Sequence, residues 1–176
     1  MTGHFELIAV LENPNYMINI GNVIRNINGL GVDKLFIIDG QHRLADNPEE
    51  IRQRKSLLKH SNGAVKWTFV KVFDTTESCI GFLSDSQFIS VGTSPHPVCR
   101  KQVGLPESDL TYPKLAIWFG DESRGLSEKA IQACEYCLTI AMKGRVESLN
   151  LSTTTGIVMY EAVNQREKGV VLRFDL

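Results

Sequence analysis

"MKGRVESLNLSTTT", residues 142–155, stands between a short apolar run and a segment patterned as a long helix. A helix start needs one side chain to accept a free backbone N–H, and Ser148 or Asn150 would serve. Here Met142, Lys143, Gly144, Arg145, Glu147 and a run of hydroxyls arrive together, which is more chemistry than a cap uses. The stretch hangs from the C-terminal end of "CLTIAM" (137–142), the end at which open α/β sheets hold ligands. The rest of the chain decides between cap and site.

"FELIAVLE" (5–12), "KLFIID" (34–39), "WTFVKVF" (67–73), "FISVGT" (88–93) and "LAIWFG" (115–120) join 137–142 as predicted strands. Helical patterns cover 15–30, 48–60, 75–85, 127–134 and 149–167. Strands apolar on both sides, alternating with helices, predict an α/β fold with a mostly parallel sheet flanked by helices. The longest irregular segment is 95–113, with four of the six prolines. No repeat, low-complexity tract or linker divides the chain, so a single domain over 1–176 is expected.

The net charge of −1 provides no global positive field, so a nucleic-acid partner would need local basic patches. No apolar run approaches the ~18 residues of a membrane span. "MTGHFE" is not a signal peptide, which predicts no membrane association and a cytoplasmic location. Of Cys79, Cys99, Cys134 and Cys137, the last two form C-x-x-C, yet no second pair stands at zinc spacing and the four histidines are scattered. Buried thiols and no metal are expected.

Two further polar clusters match the first. In "NPNYMINIGNVIRNINGLG" (13–31), Ile20, Val23, Ile24 and Ile27 form the buried stripe. Asn19, Asn22 and Arg25 climb another side, where asparagine is a poor choice for helix stability alone. Gly21 removes a side chain beside Arg25, leaving room for a bulky group. In "LAIWFGDESRGLSEKA" (115–130) an apolar strand enters a charged loop bracketed by Gly120 and Gly125, then a helix capped by Ser127. There is no P-loop, HExxH or nucleophile elbow, and "GLGVDK" (29–34) follows a helix where a dinucleotide fingerprint follows a strand.

In order and spacing, "NIGNVIR" (19–25), "FGDESRGLS" (119–127) and "IAMKGRVESLNLS" (140–152) resemble motifs 1, 2 and 3 of the SpoU (TrmH-type) branch of the SPOUT RNA ribose 2′-O-methyltransferases. "HSNGA" (60–64) resembles a family segment between the first two. The resemblance implies a C-terminal deep trefoil knot around 90–93, 118–122 and 138–152, against the usual rule that chains do not knot. It implies S-adenosylmethionine held bent in that knot by Thr93, Gly120, Ile140, Met142 and Leu149. It also implies a homodimer with the active site at the subunit interface, the motif 1 arginine meeting the partner's cofactor site.

Under the same resemblance Arg25 is the group at the ribose hydroxyl, supported by Asn19, Glu122, Ser148 and Asn150. A guanidinium does not readily surrender a proton, so stabilising alkoxide and holding phosphate is its physically cheaper role. Arg52, Lys55 and Lys59 fall on one face of the 48–60 helix at i, i+3 and i+7; with Arg100, Lys101, Lys143 and Arg145 they are candidate phosphate contacts. The expected substrate is tRNA, with rRNA as the alternative. A non-catalytic RNA-binding knotted dimer and an unrelated nucleotide-binding α/β enzyme are the competing readings.

Overall fold

The computed structural model describes residues 5–44 and 47–174 of the chain, 169–174 by backbone alone. In chain order the elements are β1 (Glu6–Glu12), α1 (Met17–Gly29), β2 (Lys34–Ile38), α2 (Pro48–Gln53), α3 (Lys55–His60), β3 (Phe69–Phe73) and α4 (Thr76–Asp85). β4 (Ile89–Thr93), β5 (Gln102–Gly104), β6 (Lys114–Phe119), α5 (Glu128–Ala133), β7 (Cys137–Thr139) and α6 (Leu151–Phe174) follow. Seven strands form one sheet in the order β3-β2-β1-β6-β4-β7-β5, every pairing parallel.

Strand alternation sends successive side chains to opposite faces. Leu7, Ala9 and Leu11 of β1 pack with Ile20, Val23, Ile24 and Ile27 of α1 and Val158, Met159 and Ala162 of α6. Ile8 and Val10 face the other way, onto Trp118, Phe36, Cys79 and Leu83. Parallel pairing leaves all the C-terminal strand ends on one edge, and the three polar clusters lie on the chain that follows strand ends there.

The structure departs from the sequence reading in several places. Residues 48–60 are not one helix: Arg54 is extended (φ −65°, ψ 114°) and splits α2 from α3, while its guanidinium donates to the Arg43 carbonyl at 2.5 Å. The single face assigned to Arg52, Lys55 and Lys59 therefore does not exist. The 95–113 loop is not wholly irregular, since Gln102–Gly104 pairs with β7 as an edge strand. β7 ends at Thr139 rather than 142, because the chain leaves the sheet there to wall a cavity.

The thiols divide. Cys99 and Cys137 form a disulfide, tying the loop after β4 to β7, so two of the four expected thiols are bonded. Cys79 and Cys134 stay free, and burial pushes each up to about 12. Among the described residues no helix is long and apolar enough to cross a membrane.

Candidate active site

A cavity of about 810 Å³ opens where β4, β6 and β7 end, within the range of small-molecule sites. Thr93, Gly120, Ile140, Met142 and Leu149 all line it, as do Asn19, Glu122, Ser148 and Asn150. The stretch 142–155 provides one wall. The lining is mixed: Leu138, Ile140, Met142 and Leu149 are apolar, and Asn19, Asn150 and Glu122 are polar. A ligand with both an apolar and a polar part fits that lining.

The polar residues form a directed relay. Glu122 Oε2 accepts from the Asn15 backbone N–H at 2.8 Å, and its Oε1 accepts from Asn19 Nδ2 at 2.6 Å. Asn19 Oδ1 accepts from Asn150 Nδ2 at 3.1 Å, and Asn150 Oδ1 accepts from Ser152 N and Oγ at 2.9 and 2.7 Å. Each amide is thereby fixed in orientation. Asn150 is the cap of α6 and a member of the relay at once, while Ser148 is exposed on the cavity wall. Glu122 reaches Asn150 through Asn19; it is not bonded to Arg25.

Motif 2 keeps its shape by closing on itself. Asp121 and Gly125 exchange backbone bonds at 3.1 and 2.8 Å, and Asp121 Oδ1 accepts from Ser123 N and Arg124 N. A Cβ at Gly120 would stand 2.1 Å from the Gly125 carbonyl carbon, so that glycine admits the loop's own backbone. Gly21 likewise departs from its expected role. A Cβ there would stand 2.4 Å from His60 Cβ, so the gap admits α3 and leaves no room for a ligand.

Arg25 does not line the cavity; it lies exposed on α1. Lys55, Lys59, Arg100, Lys101, Lys143 and Arg145 are exposed, and Arg52 is half-buried beside Glu49 at 3.4 Å. None of these seven lines the cavity. Among the described residues no cluster of His, Cys, Asp and Glu could hold a metal.

Three supporting residues escaped the sequence reading. Glu12, 2% exposed, accepts from Thr76 Oγ1 at 2.5 Å and from Ser127 Oγ and N at 2.6 and 2.8 Å, locking the helix after motif 2 to β1. Asp39, equally buried, accepts from Leu44 N at 2.6 Å and lies 3.7 Å from Arg43 Nε. Arg43 then donates to the Asn15 carbonyl at 2.9 Å and to that of Pro14, holding the segment whose N–H meets Glu122. The available signal was an acid ending an otherwise apolar strand, in "FELIAVLE" and "KLFIID".

Comparison with known proteins fits this arrangement. The model of the SpoU rRNA Methylase family matches residues 6–160. The tRNA (guanosine(18)-2′-O)-methyltransferase of Aquifex aeolicus is 28% identical over 169 residues, 96% of this chain and 74% of that protein. A solved structure concerned with 2-OH methylation of C/U34 on tRNA superposes with a TM-score of 0.72 at 27% identity, over 94% of this chain and 99% of that one. The SpoU methyltransferase AviRb of Streptomyces viridochromogenes, solved with AdoMet, shares the fold at a TM-score of 0.77 and 24% identity, over 95% and 60% of the two chains.

Proposed function

The chain belongs to the SpoU methylase family, and on that premise we propose that it is an S-adenosylmethionine-dependent methyltransferase of RNA ribose 2′-hydroxyls, with tRNA as substrate. The observation that carries this reading is the Glu122–Asn19–Asn150 relay on the wall of a cavity that all five cofactor positions line. The near-complete overlap with the structure concerned with C/U34 of tRNA favours tRNA over rRNA. The family's rRNA members keep the second substrate open to the same test.

When bound, S-adenosylmethionine supplies an electrophilic sulfonium methyl. The mixed wall fits it: Ile140, Met142 and Leu149 offer apolar surface, and the relay offers fixed polar groups. The protein's part is to align the ribose oxygen in line with that methyl and to exclude alternatives. Asn150, held by Asn19 and Ser152, and Ser148 present polar groups into the cavity for the nucleotide. The hydroxyl proton passes to solvent at the open cavity mouth, while a charged Arg25 stabilises the developing alkoxide and holds the adjacent phosphate.

Arg25 reaches that position in a homodimer, from the partner subunit. Its exposure on α1 supports this, as do Tyr16 and Ile18 at the cavity rim, 58% and 48% exposed, and Tyr160 of α6 at 59%. Such apolar exposure beside a site marks an interface. In this reading residues 1–176 act as one domain in the cytoplasm, and the 138–152 segment belongs to a trefoil knot. Transfer of labelled methyl from S-adenosylmethionine to tRNA tests the activity. Wild type transfers, and Arg25→Ala falls on the order of a hundredfold or more; equal rates remove Arg25 from the chemistry. Transfer to rRNA alone moves the substrate to the family's other branch.

A further inference from the structure

We propose that the turn at residues 61–68 and the basic chain around it dock a single-stranded stretch of the substrate RNA, with Trp67 as a stacking platform for a base. The proposal rests on the RNA-methyltransferase reading and adds a binding site outside the cavity. Trp67 is 82% exposed, more than any other large hydrophobic side chain among the described residues. From Ile51 to Phe73 the chain carries six Lys or Arg and no Asp or Glu, in a protein whose net charge is −1. Lys55, Lys59 and Lys66 are exposed there and form no salt bridge among the described residues.

The ring is displayed on a rigid mount. Asn62 and Gly63 take left-handed conformations (φ 51° and 81°). Gly63 N donates to Leu58 O at 2.9 Å, Lys66 N to Gly63 O at 3.1 Å and Trp67 N to Ala64 O at 3.0 Å. Ser61 Oγ, fully buried, accepts from Val65 N, and Thr68 Oγ1 donates to Ala64 O. The turn thus holds its one large ring exposed to solvent, next in sequence to exposed Lys66.

Stacking on an aromatic ring tolerates any base, and lysines neutralise the phosphates between stacked bases. A duplex hides its base faces, so the ligand is single-stranded. A second copy of the chain pairing through this face would set lysine against lysine, which the acid-free segment disfavours. α3 packs on α1 where His60 meets Gly21, so the surface lies in the same helical layer as Arg25.

Tryptophan emission tests this directly, because the other tryptophan, Trp118, is fully buried. Adding poly(U) at low salt should quench and shift the emission of wild type and leave that of Trp67→Leu unchanged. Trp67→Leu should bind poly(U) about tenfold more weakly, Trp67→Phe should keep most of the affinity, and double-stranded poly(A)·poly(U) should quench little. Lys66→Ala should lower the salt dependence by about one phosphate contact. Equal poly(U) affinity for wild type and Trp67→Leu overturns the proposal and leaves the methyltransferase standing if tRNA is still methylated. An emission change that follows protein concentration without RNA overturns it in favour of a second copy. Poly(U) quenching with no methyl transfer to any RNA sinks the methyltransferase reading and leaves the docking surface.

Discussion

Glu122 uses both oxygens as acceptors, one for the Asn15 backbone N–H and one for Asn19 Nδ2. Glu122→Gln keeps the shape but replaces one acceptor with an NH₂. Either Asn15 N or Asn19 Nδ2 then loses its acceptor, at about 1–3 kcal/mol. If Asn19 turns its amide to recover, it presents NH₂ to Asn150 and breaks the relay. The expected result is a fall in kcat on the order of tenfold or more, a Tm lower by roughly 2–12 °C, and S-adenosylmethionine affinity changed much less. Unchanged kcat with lowered Tm would make Glu122 a purely structural group. The two free thiols give a second residue-scale test. Burial raises Cys79 and Cys134 from 9.0 to about 12, so each favours the folded state fully below pH 9, and that contribution is lost as pH rises toward 12. Native protein at pH 8 should react slowly with a thiol reagent that labels both at once in urea, and urea stability should fall between pH 9 and 12. Fast labelling of either thiol in the native protein contradicts its burial.

At the scale of elements, the strand-end clusters were legible because polar and glycine-rich residues interrupt apolar runs at a fixed place in the α/β pattern. Asn19, Glu122 and Asn150 stand where that pattern put them, and their meeting is long-range, across 103 and 131 residues. What the sequence hid was set by tertiary contacts. Nothing local marks Arg54 as a break; its extended backbone goes with a bond to the Arg43 carbonyl. Three-residue β5 carries too few positions for alternation to register, and its partner lies at 137–139. Gly21 was misread for the same reason, since the side chain filling its gap arrives from α3. Gly21→Ala therefore sets two effects against each other. Alanine favours the helix by about 1 kcal/mol, while a 2.4 Å approach to His60 Cβ forces α3 outward at roughly 1–3 kcal/mol. The backbone-proximal clash outweighs the helix gain: urea denaturation should show a net loss of up to about 2 kcal/mol, and a gain would mean α3 does not seat on α1 there.

Across the whole molecule the two ends of the sheet do opposite jobs. At the N-terminal strand ends Arg166 of α6 is half-buried and donates to the carbonyls of Leu110 at 3.1 Å, Glu6 at 3.2 Å and Tyr112. Arg166 closes that end at the starts of β1 and β6, whereas the cavity at the other end is open and, in the proposed dimer, incomplete without a second copy. If Arg25 serves the partner's cavity, the two halves of one site come from different chains. Arg25→Ala loses the guanidinium but keeps an intact relay; Asn150→Ala loses the relay but keeps Arg25. Co-expressed, they assort into dimers of which half are mixed, and each mixed dimer holds one site with both parts. Each variant alone should be nearly inactive on tRNA, and the mixture should recover roughly a quarter of wild-type activity. Methyl incorporation per cofactor site, with tagged subunits to isolate the mixed dimers, measures it. No recovery in isolated mixed dimers would place Arg25 with its own subunit's cavity and remove the shared site.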